Sequence, residues 1–269
     1  MTPVTVTQGA GPVILAFPHT GTEVEPAALS RLNADGRKLR DTDWHVHRLY
    51  AALLPTATKV RATFHRYVID ANRNPSDESL YPGQNTTGLC PTTDFDGAPI
   101  YRAGEEPDAA EIARRLETCH AVYHRRLARE IARVRKRHGV AILYDCHSIR
   151  SRVPFLFEGV LPDFNIGTNG GTTCAPAIEE AVASICARAE GYTSVVNGRF
   201  KGGWTTRHYG KPEDGVHAIQ MELAQSTHLA SEALPFDYDT DKARRLRVHL
   251  KEILKTLNEL ALSGALARP

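Results

Sequence analysis

The segment Ala141-Ile-Leu-Tyr-Asp-Cys-His-Ser148 joins a short apolar run to an acid and an imidazole. Side chains of a β-strand alternate between its two faces, so Asp145 and His147 are expected to share one face where the strand ends. Ligands of open α/β sheets bind at the carboxyl ends of strands. A histidine held by a nearby carboxylate is typical of metal ligands and catalytic bases. The alternative is a loop histidine bonded to a backbone carbonyl, and this segment alone favours neither interpretation.

Two further segments could supply metal-binding groups. Residues 12–17 predict a strand, and the turn that follows carries His19 at the strand exit. Residues 41–50 predict a helix whose N-cap is Asp41 or the residue after it, with Asp43 in the first turn. Asp43 is then either part of the helix start or a carboxylate ligand that points toward His19.

Residues 217–223 alternate polar and apolar side chains, which predicts a strand. Glu222 would lie on one face of a central strand, where an unpaired carboxylate is energetically costly. A glutamate in such a place is usually paired with a cation or used as a base.

Cationic groups that could bind an anion lie in two places. Residues 58–64 and 66–70 predict a pair of strands that leads into Asp70-Ala-Asn-Arg73. A guanidinium beside an amide, as in Asn72 and Arg73, suits the capture of a carboxylate. The alternative is an Asp70–Arg73 pair that only fixes the turn.

The second cationic place is the glycine-rich loop of residues 198–210, which contains Arg199, Lys201 and Arg207. Glycines let backbone and charge approach an anion closely, so the composition favours an anion site over a solvated basic loop.

The order of predicted elements indicates an α/β fold. A helix over residues 107–138 precedes the strand at 141–148, which is the pattern of a largely parallel sheet flanked by helices. Residues 74–107 are rich in Pro, Gly, Thr and Asn without periodicity, and they predict a long loop that forms a lid or a pocket wall. The 269 residues are expected to form a single catalytic α/β domain with this loop as an insertion.

Composition excludes several classes of partner. The 33 basic and 31 acidic residues are mostly interspersed, so no nucleic-acid partner is indicated. No apolar run reaches the roughly 20 residues that span a bilayer, and the first residues do not resemble a signal peptide. We therefore expect a cytoplasmic protein that acts on a small molecule without a membrane. The five scattered cysteines contain no C-x-x-C pair and suggest neither a disulfide framework nor a thiolate zinc site.

Two strand-end histidines, a candidate acidic ligand and a glutamate on a strand are the groups that a mononuclear hydrolytic zinc site requires. Three protein ligands leave a fourth position for water, and a nearby carboxylate can take its proton. Cations can then bind substrate carboxylates and stabilise a developing oxyanion.

Several motifs together resemble the N-formylglutamate amidohydrolase (deformylase) family, in the family's order and over most of the chain. They are Pro18-His-Thr-Gly21, Asp41-Thr-Asp-Trp44, Arg66-Tyr-Val-Ile-Asp-Ala-Asn-Arg73, Asp145-Cys-His-Ser148 and the stretch of residues 209–223. The resemblance implies a zinc-carboxypeptidase-like three-layer α/β fold with a mixed, largely parallel sheet. It also implies zinc-dependent hydrolysis of N-formyl-L-glutamate to formate and L-glutamate, a step of histidine degradation.

The resemblance also implies roles for individual residues. It makes His19 and His147 ligands of one Zn²⁺. The related carboxypeptidases place a glutamate three residues after the first histidine, but that position is Thr22 here and the glutamate is one residue further on. Asp43 is therefore preferred as the third ligand, and Glu23 is kept open. Glu222 matches the general base and acid, and Arg66 the arginine that polarises the carbonyl. The remaining assignments are substrate binding by Asn72, Arg73, Arg207 and Ser148, and support of a ligand by Asp145.

Other functions remain open at this stage. The same zinc site could serve a deacylase of another N-acyl amino acid or a small carboxypeptidase. A binuclear manganese hydrolase needs Asp-x-His-x-Asp, and the position after Ser148 is Ile149. A serine hydrolase is disfavoured because no Gly-x-Ser-x-Gly motif is present. From another class, a non-catalytic acidic amino-acid binding protein would use Arg73 and Arg207 without metal. Oligomeric state is not indicated.

Overall fold

A computed structural model describes residues 2–79 and 83–266 of the chain. Within these residues a seven-stranded sheet has the order β1-β3-β2-β4-β7-β5-β6. Its strands are β1 Val4–Thr7, β2 Val13–Phe17, β3 Thr58–Ala62, β4 Ala141–Ile149, β5 Phe164–Gly167, β6 Ser194–Val196 and β7 Val216–Ala224. Strands β3, β2, β4 and β7 run parallel, whereas β1 and β5 are antiparallel to their inner neighbours. The predicted α/β fold with a mixed, largely parallel sheet is confirmed.

Helices cover both faces of the sheet. They are α1 Pro26–Arg31, α2 Val46–Leu49, α3 Ala109–Arg115, α4 Ala121–His138, α5 Pro176–Ala187, α6 Trp204–Tyr209 and α7 Thr240–Leu262. Apolar side chains of α4 pack with one face of the sheet, and those of α2, α5 and α7 pack with the other. Burial of an apolar stripe on each long helix drives this layered arrangement. No described helix is both long and apolar enough to cross a bilayer.

The two longest strands, β4 and β7, lie side by side at the centre of the sheet and are buried along their whole length. Their parallel register pairs Asp145 with Gln220 and His147 with Glu222. Residues in register share a face, and so do residues two apart on one strand. The pairing therefore collects four polar side chains on one face, near the carboxyl ends of both strands.

Three predicted elements differ from the structure. The helix predicted over 41–50 is shorter: α2 begins at Val46, after His45 adopts a left-handed conformation with φ of 60°. Asp41 is therefore no N-cap. It is buried, and it accepts hydrogen bonds from the Tyr67 hydroxyl and the Phe95 amide. The predicted strand over 66–70 is instead a turn region.

The helix predicted over 107–138 is also interrupted. Asp108 caps α3 by accepting from the Glu111 amide at 2.8 Å, and the π-helical turn Leu116–His120 separates α3 from α4. This turn brings His120 Nε2 to within 3.0 Å of the Arg73 carbonyl. One turn later, His124 Nε2 lies 2.7 Å from the Ala71 carbonyl. The two histidines therefore hold the backbone on either side of Asn72.

His124 gives the fold a predicted dependence on pH. Its Nε2 must donate because a carbonyl only accepts, and in the neutral ring its Nδ1 then accepts from the Tyr209 hydroxyl at 3.1 Å. Burial lowers the pKa of His124 to about 3. Below the unfolded-state pKa of about 6.5 the unfolded chain binds a proton that the native chain does not, so the free energy of unfolding falls as pH falls.

The His124→Gln variant keeps a donor for the Ala71 carbonyl but has no imidazole to protonate in the unfolded chain. We expect the slope of its free energy of unfolding against pH to be lower than that of wild type by about 1.4 kcal/mol per pH unit between pH 6 and 4. Urea unfolding of both proteins at several pH values measures the two slopes. Equal slopes would contradict the neutral, buried state of His124.

Candidate functional site

Three buried side chains converge where β2 and β4 end. His19 Nδ1 lies 3.2 Å from His147 Nδ1, which in turn lies 3.2 Å from Asp43 Oδ2. The third separation, from His19 Nδ1 to Asp43 Oδ2, is 3.8 Å. Among the described residues these three form a group that could hold a metal ion, and each is buried. The sequence-predicted ligands His19, Asp43 and His147 are therefore brought together.

Backbone groups fix Asp43 in this arrangement. Its amide donates to the His19 carbonyl at 3.0 Å, and its Oδ2 accepts from the Ser148 amide at 3.1 Å. The alternative acidic ligand, Glu23, has an exposed side chain. The geometry thus favours Asp43 over Glu23 as the acidic member of the group.

A carboxylate lies behind each of the two imidazole rings. His19 Nε2 lies 2.6 Å from Asp70 Oδ1, and His147 Nε2 lies 3.1 Å from Asp145 Oδ1. A ring nitrogen that donates to a carboxylate leaves the other nitrogen as a lone-pair donor. Both Nδ1 atoms are then available as ligands and point toward the same small volume.

The donor geometry fits a divalent metal. The three donor atoms form a triangle whose corners are all about 2.0 Å from one common point, close to zinc–nitrogen and zinc–oxygen bond lengths. The pKa of His147 reflects the same environment: burial opposes the charged form, but Asp145 and Asp43 raise its pKa well above the usual value. The surroundings of His147 therefore favour a positive charge at this place.

Asp70 was not predicted as a support of His19. Besides accepting from His19, it accepts from Arg66 Nη2 through Oδ2 at 2.6 Å and from the Asn72 amide through Oδ1 at 2.8 Å. Burial opposes its ionisation, but Arg66 and His19 hold the pKa of Asp70 well below its usual range. The sequence signal was available, because Asp70 precedes the Asn-Arg pair at the end of a predicted strand.

Glu222 lies beside this group on β7. Its side chain is 7% exposed and lines a cleft, and burial raises its pKa to about 8 despite the opposing effect of His147. A bound cation would favour the ionised form. Gln220 Nε2 donates to Glu222 Oε2 at 3.1 Å. A buried carboxylate that lines the same cleft as a candidate metal group is a candidate general base.

The empty space of the cleft, including the part that is open to solvent, is about 640 Å³. Its lining includes the predicted site residues His19, Arg66, Asn72, Arg73, His147, Ser148 and Glu222. Residues 85–87 and Phe95, from the long loop of residues 74–107, form part of the wall. Three residues of that loop, 80–82, lie outside the described residues.

Arginines line the cleft in an arrangement that differs in part from the prediction. Arg66 stacks over the Phe95 ring at 4.6 Å, and Arg73 Nε lies 3.8 Å from Asp70 Oδ2. Arg207, predicted to bind substrate, is not among the lining residues, and its Nε donates to the Gly202 carbonyl. Arg199 lines the cleft instead. Arg207 lies within α6, which directs its guanidinium back to the preceding loop.

The glycine-rich segment, which the sequence predicts to form an anion site, also bonds to polar side chains near His147. Asn72 Oδ1 accepts from the Thr205 amide at 2.8 Å, and Thr206 Oγ1 donates to Asp145 Oδ2 at 3.1 Å. Asn72 Nδ2 lies 3.3 Å from His147 Nε2. A Cβ on Gly203 would come within 2.2 Å of Asn72 Nδ2, so any other residue here would displace the Asn72 side chain. The structure thus places Asn72 beside a candidate ligand and in contact with α6.

Comparison with known proteins identifies the family of the chain. Residues 11–229 match the sequence profile of a family described as N-formylglutamate amidohydrolase. The chain is 49% identical over 252 residues to N-formylglutamate deformylase of Pseudomonas aeruginosa, covering 93% of this chain and 94% of the relative. It is 46% identical over 251 residues to N-formylglutamate deformylase of Pseudomonas putida, covering 93% of each.

Two solved structures extend the comparison to the fold. The crystal structure of N-formylglutamate amidohydrolase from Ralstonia eutropha superposes with a TM-score of 0.81 at 26% identity, covering 98% of this chain and all of that one. A gene product of Agrobacterium tumefaciens, at 21% identity with a TM-score of 0.71, shares the fold and covers 98% of this chain and 96% of its own. The chain therefore belongs to the N-formylglutamate amidohydrolase family.

Proposed function

We propose that this protein hydrolyses N-formyl-L-glutamate to formate and L-glutamate with one Zn²⁺ held by His19, Asp43 and His147. The observation that carries the proposal is the buried His-Asp-His group beside Glu222 at the base of an arginine-lined cleft. The 49% identity to a named deformylase supports the choice of substrate. The cytoplasmic location expected from the sequence is part of the same proposal.

Zinc suits the donor set, because two imidazoles and one carboxylate are typical of catalytic zinc sites with an open position. When bound, the metal would supply Lewis acidity to the formyl carbonyl and lower the pKa of a water molecule. Asp70 and Asp145 would hold the two histidines in the tautomer that binds it.

The protein's own groups move the protons of the reaction. Glu222 accepts a proton from the water that attacks the formyl carbon and then gives it to the departing nitrogen, so the C–N bond breaks as formate and an amine form. Arg66, fixed by Asp70 at 2.6 Å, donates to the carbonyl oxygen as it gains negative charge. Ser148 lines the cleft, and its amide holds Asp43.

Arg73 and Arg199 are proposed to bind the two carboxylates of the substrate. Arg73 is kept in place by a contact from its Nη2 to Thr87 Oγ1. Arg199 donates through Nε to the Leu156 carbonyl at 2.9 Å and through Nη2 to the Asn85 carbonyl at 3.2 Å, which places it where two segments of the cleft wall meet. The role predicted for Arg207 passes to Arg199, because Arg199 lines the cleft.

Arg199→Ala is therefore expected to raise KM for N-formyl-L-glutamate about 10- to 100-fold, the effect of losing a charge-assisted hydrogen bond. Its matched control is Arg207→Ala, which removes a guanidinium from outside the cleft and should leave KM within about threefold of wild type. Steady-state kinetics on both variants measures the effect. A larger rise in KM for Arg207→Ala than for Arg199→Ala would mean that Arg207, and not Arg199, binds the substrate.

The long loop of residues 74–107 is proposed to form part of the wall of the substrate pocket. Its contribution of residues 85–87 and Phe95 to the cleft supports a role as pocket wall. Closure of this segment as a lid over the bound substrate stays a prediction.

A panel of substrates tests the proposed specificity. We expect rapid formate release from N-formyl-L-glutamate. N-acetyl-L-glutamate lacks the formyl group, and N-formyl-L-leucine lacks the second carboxylate. We expect both to be hydrolysed at rates at least about tenfold lower. Preference for the acetyl compound would indicate a deacylase of another kind. Cleavage of a C-terminal peptide bond would indicate a carboxypeptidase, and binding without turnover would indicate a binding protein.

A further inference from the structure

Gln220 is a buried amide that the proposed reaction does not yet use. It lies on β7, two residues before Glu222 and on the same face, with 3% of its surface exposed. Its Oε1 accepts from the Gly203 amide at 2.7 Å, and its Nε2 donates to Glu222 Oε2 at 3.1 Å. Both ends of the side chain are therefore occupied.

The Gly203 amide determines which way the Gln220 side chain points. A backbone N–H can only donate, so it must face the oxygen of the amide. The NH₂ group of Gln220 then faces Glu222 and offers it a hydrogen. Because a backbone group sets this orientation, the donor is in place before any substrate enters the cleft.

The first turn of α6 is the common support of this contact and two others. Gly203, Thr205 and Thr206 bond to Gln220, Asn72 and Asp145 respectively, which lie on three different segments of the chain. Asn72 and Asp145 lie at 3.3 Å and 3.1 Å from His147 Nε2. A single short turn thus contacts the side chains that surround a candidate metal ligand and the candidate base.

We propose that Gln220 is a positioning residue that holds the Glu222 carboxylate in its reactive orientation and transmits the placement of the α6 turn to it. The inference rests on the proposed function and deepens it. The Gln220 side chain is not free to turn, because the Gly203 amide fixes one end of it and the strand fixes its backbone. A misplacement of about 1 Å in a reacting group can lower a rate by about 100-fold.

Two variants separate positioning of Glu222 from a merely structural role. Gln220→Met keeps the length of the side chain and removes both hydrogen bonds. Gln220→Glu keeps an oxygen for the Gly203 amide, but its second oxygen can offer Glu222 a hydrogen only while the pair of carboxyl groups retains a proton. A structural role of Gln220 at Gly203 alone predicts an active Gln220→Glu variant at every pH. Positioning of Glu222 predicts that Gln220→Met loses activity and that Gln220→Glu does so at a pH where both carboxyl groups are ionised.

The matched control is Thr173→Val. Thr173 is buried beside β7 and donates to the Ala218 carbonyl at 2.8 Å, so this substitution removes one buried hydrogen bond from the same strand without touching Glu222. We expect its kcat to stay within about threefold of wild type, because it alters packing beside the strand and leaves the cleft intact.

Formate release, KM, metal content and thermal unfolding are measured for wild type and all three variants with N-formyl-L-glutamate. At a pH where both carboxyl groups of Gln220→Glu are ionised, we expect kcat to fall about 10- to 100-fold in both Gln220 variants, with KM within about threefold and metal content unchanged. A Gln220→Glu variant as active as wild type at every pH would overturn the inference, as would a loss of kcat explained by lost metal. An inactive wild type would instead refute the proposed function, and the inference with it.

Discussion

Glu222→Gln is expected to lower kcat for formate release by about 10²- to 10⁴-fold, the contribution typical of a general base, while metal content stays at the wild-type level. Glutamine has nearly the shape of glutamate, but its amide cannot accept the proton of the attacking water or return it to the leaving nitrogen. Glu222 is not a member of the His-Asp-His group, so the metal is not expected to leave. Steady-state kinetics and metal analysis of the same preparation measure both effects.

Glu213→Gln is the control for this prediction. Glu213 is exposed in a 3₁₀ turn just before β7, so its substitution makes the same chemical change at the surface. We expect its kcat to equal that of wild type. A Glu222→Gln variant that retained kcat within about threefold would contradict the assignment of Glu222 as the base.

Asp43→Asn is expected to remove both bound metal and turnover. Asparagine preserves the size of the side chain but not the negative charge that a divalent ion requires of its carboxylate ligand. The effect should exceed the about 10- to 100-fold loss that follows substitution of residues which merely orient a metal ligand. Metal content after purification and kcat after addition of zinc are the two measurements.

The control for Asp43 is Glu23→Gln, which alters the other acid that the sequence left open. Its side chain is exposed, and we expect the variant to keep both metal and activity. If Glu23→Gln lost its metal and Asp43→Asn kept it, Glu23 and not Asp43 would be the third ligand.

The central strands could be predicted from the sequence because their signal is local. The period-two alternation in residues 141–148 and 217–223 placed Asp145 with His147, and Glu222 on a buried face, before any tertiary contact was known. The remaining step, that these strands are neighbours in register, depends on the sheet order. That order brings together residues about 75 positions apart.

The path of the chain around Asp43 could not be predicted from the neighbouring residues in the sequence. The start of a capped helix is a reasonable prediction for residues 41–50, but Asp41 is drawn inward by the Tyr67 hydroxyl and the Phe95 amide. These partners lie 26 and 54 residues away in sequence. Long-range bonds of this kind outweigh local helix propensity, and they leave Asp43 free to reach the two histidines.

Roles that depend on orientation were also beyond the sequence. Asp70 follows a recognisable pattern, yet its contacts with His19 and Arg66 require the turn of residues 66–70 that replaces the predicted strand. Arg199 and Arg207 were equivalent cations in one glycine-rich loop. The short helix α6 distinguishes them, and no periodic pattern in so polar a segment predicts which of the two arginines faces the cleft.

Formate release from N-formyl-L-glutamate, followed on one preparation before chelation, after chelation and after addition of zinc, tests the central claim most directly. We predict about one zinc per chain, activity that disappears with the metal, and recovery when zinc is restored. Undiminished formate release from metal-free protein would contradict the proposed role of His19, Asp43 and His147, whatever the substrate preference.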